Sequence, residues 1–311
     1  MNKIKVNEIV LAGPRGFCAG VERAVDVLDR ALQKYDRPVY VRHQIVHNRT
    51  IVKEFEKKGA IFVESISEVP DGSVIVFSAH GSPPEFYEEV KKKNLILHDA
   101  MCPLVLKVHL EARRYTKEGY FIFYIGHRGH PEPIGVMGNV PKDSIVLIDS
   151  VGDIEKVTLP QTEKLIVLTQ TTLSFDDTKE ILNALKNKFS SLVLPPAFDI
   201  CYATQNRQLA VKALAKEVDI IIVLGSPESS NSVRLKEVGN REGIKSYLVD
   251  SAVEIQNAWF ENVSRVGITA GASAPDHLVQ ELVALLKGKN TKVRELHSIK
   301  ENVFFPLPAG L

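Results

Sequence analysis

Cysteine is scarce in this chain: Cys18, Cys102 and Cys201 are the only three in 311 residues. So few thiols, odd in number and widely scattered, make a poor disulfide framework and suit a reducing compartment. An excess of charge of either sign is missing too, with 39 lysines and arginines against 38 aspartates and glutamates, a formal net charge of +1. That balance excludes the global basic field that recruits nucleic acid or anionic membrane, so neither partner is expected and a small-molecule role fits better. Long apolar runs are absent. Residues 220–224 are typical of the longest and are strand-sized, well short of the roughly 20 residues of a membrane helix. Residues 9–12 are too short for the apolar core of a secretory signal, so a cytoplasmic location is expected. There is no G-x-G-x-x-G after a strand, no Walker lysine loop and no H-E-x-x-H, which disfavours a nicotinamide dehydrogenase and a P-loop NTPase. Electrons for any reduction therefore have to come from another protein.

What is present is an ordinary globular composition, 44% hydrophobic and 25% charged, long enough for two or three compact units. The cysteines lie 84 and 99 residues apart, close to one third of the chain, and their surroundings recur. Strand-like residues 8–12 run through Gly13-Pro-Arg-Gly-Phe-Cys-Ala-Gly20 into a helical pattern at 21–33. Leu95-Ile-Leu-His-Asp-Ala-Met-Cys-Pro103 leads into a helix at 104–117, and Ser191-Leu-Val-Leu-Pro-Pro-Ala-Phe-Asp-Ile-Cys201 into one at 204–217. Each thiol is thus expected at a helix N-terminus, where peptide dipoles favour a thiolate.

A strand follows each helix (39–42, 120–125, 219–224) and ends in a polar loop. His47 lies 29 residues after Cys18, His130 lies 28 after Cys102, and Ser229, leading Ser229-Ser-Asn231, lies 28 after Cys201. A later strand (74–77, 165–168, 265–268) ends in a second loop holding His80, then Thr171, then Ser273. Strands alternating with helices imply parallel βαβ units, whose ligands gather beyond the strand C-termini. Three small α/β domains are predicted, at 13–102, 103–200 and 201–285, with residues 1–12 as an N-terminal strand. The tail, 286–311, has little periodicity and is expected to lie across another domain as a clasp.

Three thiolates from three units can hold zinc, with a histidine as fourth ligand, or a cuboidal iron-sulfur cluster with one iron lacking a protein ligand. Structural zinc sites usually come as local Cys-x-x-Cys pairs, and none exists here. The separations are equally unlike the ferredoxin run, so spacing leaves both readings open. The loops supply His47, His80, His130, Thr171, Ser229, Ser230, Asn231 and Ser273, neutral or weakly basic donors suited to a small phosphate or diphosphate. Taken singly, each such residue is more often a cap or a satisfied turn, and only the recurrence argues for a site. Glu132, in Gly129-His-Pro-Glu132, is the one carboxylate in a segment otherwise dominated by Gly, His and Pro, and a candidate acid. The charge-rich stretches 53–58 and 88–93 are simply solvated helix faces.

Read together, Pro14-Arg-Gly-Phe-Cys-Ala-Gly20, Val41-Arg-His-Gln-Ile-Val-His-Asn48, Phe77-Ser-Ala-His-Gly81, Asp99-Ala-Met-Cys-Pro103, Gly126-His-Arg-Gly-His-Pro-Glu132, Thr169-Gln-Thr-Thr-Leu-Ser174, Ile200-Cys-Tyr-Ala-Thr204, Ser229-Ser-Asn-Ser232 and Thr269-Ala-Gly-Ala-Ser-Ala-Pro275 resemble the motifs of the 4-hydroxy-3-methylbut-2-enyl diphosphate reductase family, in the same order. The resemblance implies a trefoil-like arrangement of three pseudo-symmetric α/β domains around one 4Fe-4S cluster. Cys18, Cys102 and Cys201 are then its protein ligands, and one iron stays open to substrate. It implies that His47, His80, His130, Thr171, Ser229, Ser230, Asn231 and Ser273 bind the substrate, with Glu132, Thr171 and His130 as the catalytic group. The implied reaction is a two-electron reductive dehydroxylation to isopentenyl and dimethylallyl diphosphate, the terminal step of the non-mevalonate pathway, fed by a ferredoxin- or flavodoxin-type donor. One departure stands out: the family pattern before the second ligand reads Asp-Ala-Thr-Cys-Pro, whereas this chain has Met101, which puts a local hydrogen bond in doubt.

Overall fold

The structure, a computed structural model, describes residues 6–158, 162–195, 199–297, 299–308 and 310–311. Residues 196–198 of the run into Cys201, and 298 and 309 of the tail, lie outside this set. The chain divides into two compact units, one of Met1–Val21, His47–Glu54 and Tyr202–Phe304, the other of Glu22–Val46, Phe55–Cys201 and Phe305–Leu311. The division falls inside two helices, α1 (Ala19–Lys34) and α2 (Arg49–Lys57).

The first unit is built on strands β1 (Glu8–Gly13), β10 (Ile220–Leu224), β11 (Ser246–Val249), β12 (Arg265–Ala270) and β13 (Lys292–His297), in the order β11-β10-β12-β1-β13. With them come helices α8 (Tyr202–Ala215), α9 (Ser230–Arg241) and α10 (Asp276–Leu286). Alternation along β1 explains the layering. Ile9 and Leu11 join α10's Leu278 and Leu282 in one core. Val10 and Ala12 join Val211 and Leu214 of α8 and Leu235 of α9 in another. Both faces are covered, which is why Ile220–Leu224 reads as an unbroken apolar run and is buried throughout.

The second unit carries two four-stranded sheets. One has the order β3-β2-β4-β5, from β2 (Val39–Arg42), β3 (Ala60–Val63), β4 (Val74–Phe77) and β5 (Ile96–Asp99), with α3 (Pro84–Lys92) packed through Val90 onto Ile75 and Phe77. The other has the order β7-β6-β8-β9, from β6 (Phe121–Ile125), β7 (Ile145–Ile148), β8 (Leu165–Thr169) and β9 (Leu192–Val193). On this second sheet α4 (Pro103–Lys117) covers Ile122 and Tyr124 with Val108 and Ala112. On its other face α7 (Phe175–Lys188) covers Phe121 and Phe123 with Ile181 and Leu185. Each such buried aliphatic contributes about 1.5–3 kcal/mol relative to exposure. Two short helices, α5 (Pro131–Met137) and α6 (Val151–Ile154), follow β6 and β7.

Every strand pair in all three sheets is parallel, as the alternation of strands and helices predicts. The sheets also share one pairing pattern. The strand after each cysteine-bearing junction, β2, β6 or β10, is flanked by the next strand in sequence on one side and by β4, β8 or β12 on the other. The strand leading to the next cysteine then completes the set: β5 before Cys102, β9 before Cys201, and β1 before Cys18. The N-terminal strand therefore pairs with strands of the last third, Glu8 opposite Arg265.

The tail, for all its lack of periodicity, holds a strand. β13 lies at the sheet edge beside β1, and its exposed Lys292, Arg294 and Glu295 mask any apolar alternation. Residues 305–311 group with the second unit, where Arg23 Nε donates to Pro306 O at 2.9 Å and Lys34 Nζ to Gly310 O at 2.5 Å.

Close helix-to-sheet contact is tested at Gly267 on β12, where a Cβ would stand 2.8 Å from the Leu214 side chain of α8 and 3.0 Å from Val218 Cγ2. Gly267→Ala is expected to destabilise the fold by about 1–3 kcal/mol through overpacking. A lowered urea midpoint at unchanged slope is the result to look for.

Candidate functional site

All three cysteines sit where helices begin. Cys18 immediately precedes α1 and Cys201 immediately precedes α8, while Cys102 is the N-cap of α4 with Pro103 in the first turn. They are half-buried thiols outside any disulfide. Their backbone bonding recurs. Cys18 N–H donates to Ala272 O at 3.3 Å, Cys102 N–H to Ala79 O at 3.0 Å, and Cys201 N–H to Thr171 O at 3.0 Å. Each acceptor belongs to the loop that leaves β12, β4 or β8, the loops that hold Ser273, His80 and Thr171. The first set of loops is equally regular: His47, His130 and Ser229 stand five residues beyond Arg42, Ile125 and Leu224, where β2, β6 and β10 end.

In the second unit the structure brings Glu132 and Thr171 together. Glu132, in the first turn of α5, is only 1% exposed. Its carboxylate accepts the Thr171 N–H at 2.7 Å and the Thr171 hydroxyl at 2.9 Å. Burial raises the Glu132 pKa to about 7; the two Thr171 hydrogen bonds oppose that rise and the charge of Asp199 adds to it. Thr171 faces both ways, since its carbonyl accepts from Cys201. His130 caps α5 by accepting the Glu132 N–H at Nδ1, 3.1 Å away, so the proton of the neutral ring sits on Nε2. His80 stands edge-on to it, ring centroids 5.8 Å apart, with Nδ1 3.3 Å from Ser78 Oγ.

In the first unit Ser229, Asn231, Ser273 and His47 are linked. Ser229 caps α9; its Oγ receives the Ser232 N–H at 3.3 Å and the Ser232 hydroxyl at 3.1 Å, so its own proton is left to donate. Asn231 is buried and bridges the loop after β12 to α8, accepting Ala272 N–H at 2.9 Å and donating to Thr204 Oγ1 at 3.3 Å. Ser273 donates to His47 O at 2.9 Å and must rotate before it can donate to an anion. Ser230 is the half-buried first residue of α9. Among the described residues no group of three or more His, Cys, Asp or Glu side chains is gathered as for a metal ion.

Two residues near the cysteines were not singled out from sequence. Asp199, two residues before Cys201, accepts Thr169 N–H at 3.0 Å and pairs with Lys107 Nζ at 2.8 Å. Its pKa is pushed up to about 6 by burial, with Lys107 opposing. Arg207, on α8, is fully buried. A buried carboxylate preceding a cysteine could have been sought on the Lys107 side, whereas nothing in the α8 sequence marks Arg207. Met101 keeps the backbone bond of its loop, N–H to Asp99 Oδ1 at 2.9 Å, while its carbonyl accepts from Arg23 at 3.0 Å. A thioether has no proton to give, so the hydroxyl bond available to a threonine at this position is absent.

Glu132 links protonation to stability. Its pKa rises from 4.5 to about 7 on folding, so its favourable contribution is complete below 4.5 and is lost as the pH climbs to about 7. Glu132→Gln, which mimics the protonated acid, escapes that loss. Its unfolding free energy relative to the parent is expected to rise by up to about 3 kcal/mol over this range, at ~1.4 kcal/mol per pK unit, as read by urea unfolding at stepped pH.

Known proteins resemble this chain along nearly its whole length. The 4-hydroxy-3-methylbut-2-enyl diphosphate reductase of Polaromonas sp. is 50% identical over 308 residues, covering 99% of this chain and 92% of the relative. The enzyme of the same name from Acidithiobacillus ferrooxidans is 48% identical over 305 residues, covering 98% and 96%. Among solved structures, the E-1-hydroxy-2-methyl-but-2-enyl-4-diphosphate reductase from Plasmodium falciparum superposes with a TM-score of 0.94 at 38% identity, covering 97% of this chain and 96% of that one. A second structure, that of (E)-4-hydroxy-3-methyl-but-2-enyl diphosphate reductase, the terminal enzyme of the non-mevalonate pathway, gives a TM-score of 0.65 at 32% identity over 90% of this chain and 99% of its own. The family described as LytB protein matches residues 9–287. With that span, and relatives half identical along nearly their whole length, the chain belongs to the LytB family.

Proposed function

We propose that this chain is an iron-sulfur reductase that converts 4-hydroxy-3-methylbut-2-enyl diphosphate to isopentenyl and dimethylallyl diphosphate, the terminal step of the non-mevalonate isoprenoid pathway. Two electrons and two protons replace a C–O bond by a C–H bond and release water. The observation that carries the reading is the buried Glu132, ionising near neutrality and bonded to Thr171, whose own carbonyl holds the Cys201 backbone.

Cys18, Cys102 and Cys201 are the protein ligands of one 4Fe-4S cluster. The donor set fits: three thiols, none in a disulfide, each at a helix start with its backbone N–H bonded elsewhere. When bound, the cluster supplies single electrons and an iron able to polarise the substrate hydroxyl. The chain's own residues do the rest. Glu132 holds a proton near pH 7 and delivers it to the departing hydroxyl, and the Thr171 hydroxyl orients that group. Ser229, Ser230, Asn231 and Ser273, with His47, His80 and His130, hold the diphosphate through hydrogen bonds rather than a lysine or arginine clamp. The N-terminus of α9 adds its dipole to that set. The electron donor is a small ferredoxin- or flavodoxin-type protein. We read the repeat as domains 13–102, 103–200 and 201–285 with a tail at 286–311, working in the cytoplasm. Among the described residues no helix is long and apolar enough to cross a membrane.

Purified anaerobically, the protein is expected to be brown and to hold about four iron and four sulfide per chain. A colourless protein with stoichiometric zinc would point to a metal-dependent phosphate-ester hydrolase and end the reductase reading. Glu132→Gln should keep the cluster while turnover falls by roughly 10²–10⁴-fold.

The acid must be protonated to act, so turnover of the unmodified enzyme should decline as the pH rises through about 7. Thr171→Val removes a hydrogen bond that favours the carboxylate and should carry this decline to higher pH. A pH profile of turnover with no inflection near neutrality would take Glu132 out of the proton-delivery step.

A further inference from the structure

None of the roles assigned above uses Arg207, yet its side chain is 0% exposed and all five of its N–H groups have acceptors. Nε and Nη2 donate to Gly16 O at 3.0 and 2.8 Å, and Nη2 donates also to Phe17 O at 3.1 Å. Nη1 donates to Ala203 O at 3.0 Å and to the Glu301 carboxylate at 3.0 and 3.3 Å. The Phe17 carbonyl belongs to the peptide that ends at the Cys18 nitrogen. On the other side of that nitrogen, Cys18 N–H is held by Ala272 O at 3.3 Å. The Cys18 backbone is therefore gripped from both sides, by a strand loop and by a guanidinium. Gly16 stands at φ +69°, where a side chain is strained, so the loop leans on outside contacts to keep this shape.

We infer that Arg207, neutralised by Glu301 of the C-terminal segment, is the positioning residue for Cys18; this rests on reading Cys18 as a cluster ligand. A planar guanidinium can hold Gly16, Phe17 and Ala203 carbonyls at once, which the point charge of a lysine cannot. Buried charge needs a counter-charge, and Glu301, only 15% exposed and also holding Asn206 Nδ2 at 3.0 Å, supplies it. Through this pair the C-terminal segment is tied to the geometry of one thiol.

The test uses the full-length chain purified anaerobically with its cluster, as the parent and as Arg207→Met, Arg207→Lys, Glu301→Gln and Cys18→Ser. Iron release to a ferrous chelator is followed, and after release the alkylation rate of each thiol by iodoacetamide is separated by mass spectrometry. Arg207→Met should release iron roughly 10–100-fold faster, the range for residues that orient metal ligands. Cys18 alone should alkylate faster, with Cys102 and Cys201 at parental rates. Glu301→Gln should move both readings the same way, and Arg207→Lys should fail to restore them. If Arg207→Met does not fold, Glu301→Gln decides by the same readings. Unchanged iron release, or equal acceleration of all three thiols as general loosening would give, overturns the inference. Full iron content in Cys18→Ser would instead overturn the ligand assignment itself.

Discussion

Because every ladder in the three sheets is parallel, no strand can return to its neighbour by a tight hairpin, and each must be reached by a crossover. The loops leaving strand C-termini then emerge on one edge of their sheet, which is where such folds place ligands. In each sheet such loops carry one residue of the set His47, His130 and Ser229, five residues beyond β2, β6 or β10, and one of His80, Thr171 and Ser273, two or three residues beyond β4, β8 or β12. Each cysteine nitrogen is bonded to the second kind of loop. The chemistry of the site is thus an outcome of strand direction before it is an outcome of any side chain.

Burial sets the acid–base character within that frame. Glu132, in the first turn of α5, accepts from Thr171, and desolvation outweighs the two hydrogen bonds that favour its charged form. Asp199 faces a similar penalty, opposed by an ion pair with Lys107. Two carboxylates in one unit are thereby kept on different terms, one with a cation beside it and one without.

Much of this was legible in the residues themselves. Residues 74–77 and 220–224 carry the β-branched runs of fully covered strands and residues 39–42 the alternation of a half-covered one, and β2, β4 and β10 lie at or within one residue of the bounds expected for them. Pro103 marks the start of α4 directly. The cysteine junctions could be found because apolar periodicity changes from two to 3.6 on either side of each. Three features could not be read that way. β13 is an exposed edge strand whose charged residues carry no alternation. The partner of β1 is set by a contact between opposite ends of the chain, for which local pattern holds no record. Arg207 lies among Ala203, Ala210, Val211 and Leu214 on a helix with little separation of polar and apolar faces, where one arginine looks like any solvated one until its acceptors are seen.

The pairing of β1 has a consequence for biosynthesis. Glu8 is translated 257 residues before Arg265, its partner across the ladder. At roughly 5–20 residues per second, tens of seconds pass before that neighbour leaves the ribosome. During that interval the apolar run Ile9-Val-Leu-Ala12 has no lasting neighbour on either flank, since β12 and β13 both come late. The nascent chain must therefore carry an unpaired apolar segment through the synthesis of the roughly 250 residues that separate it from its partners.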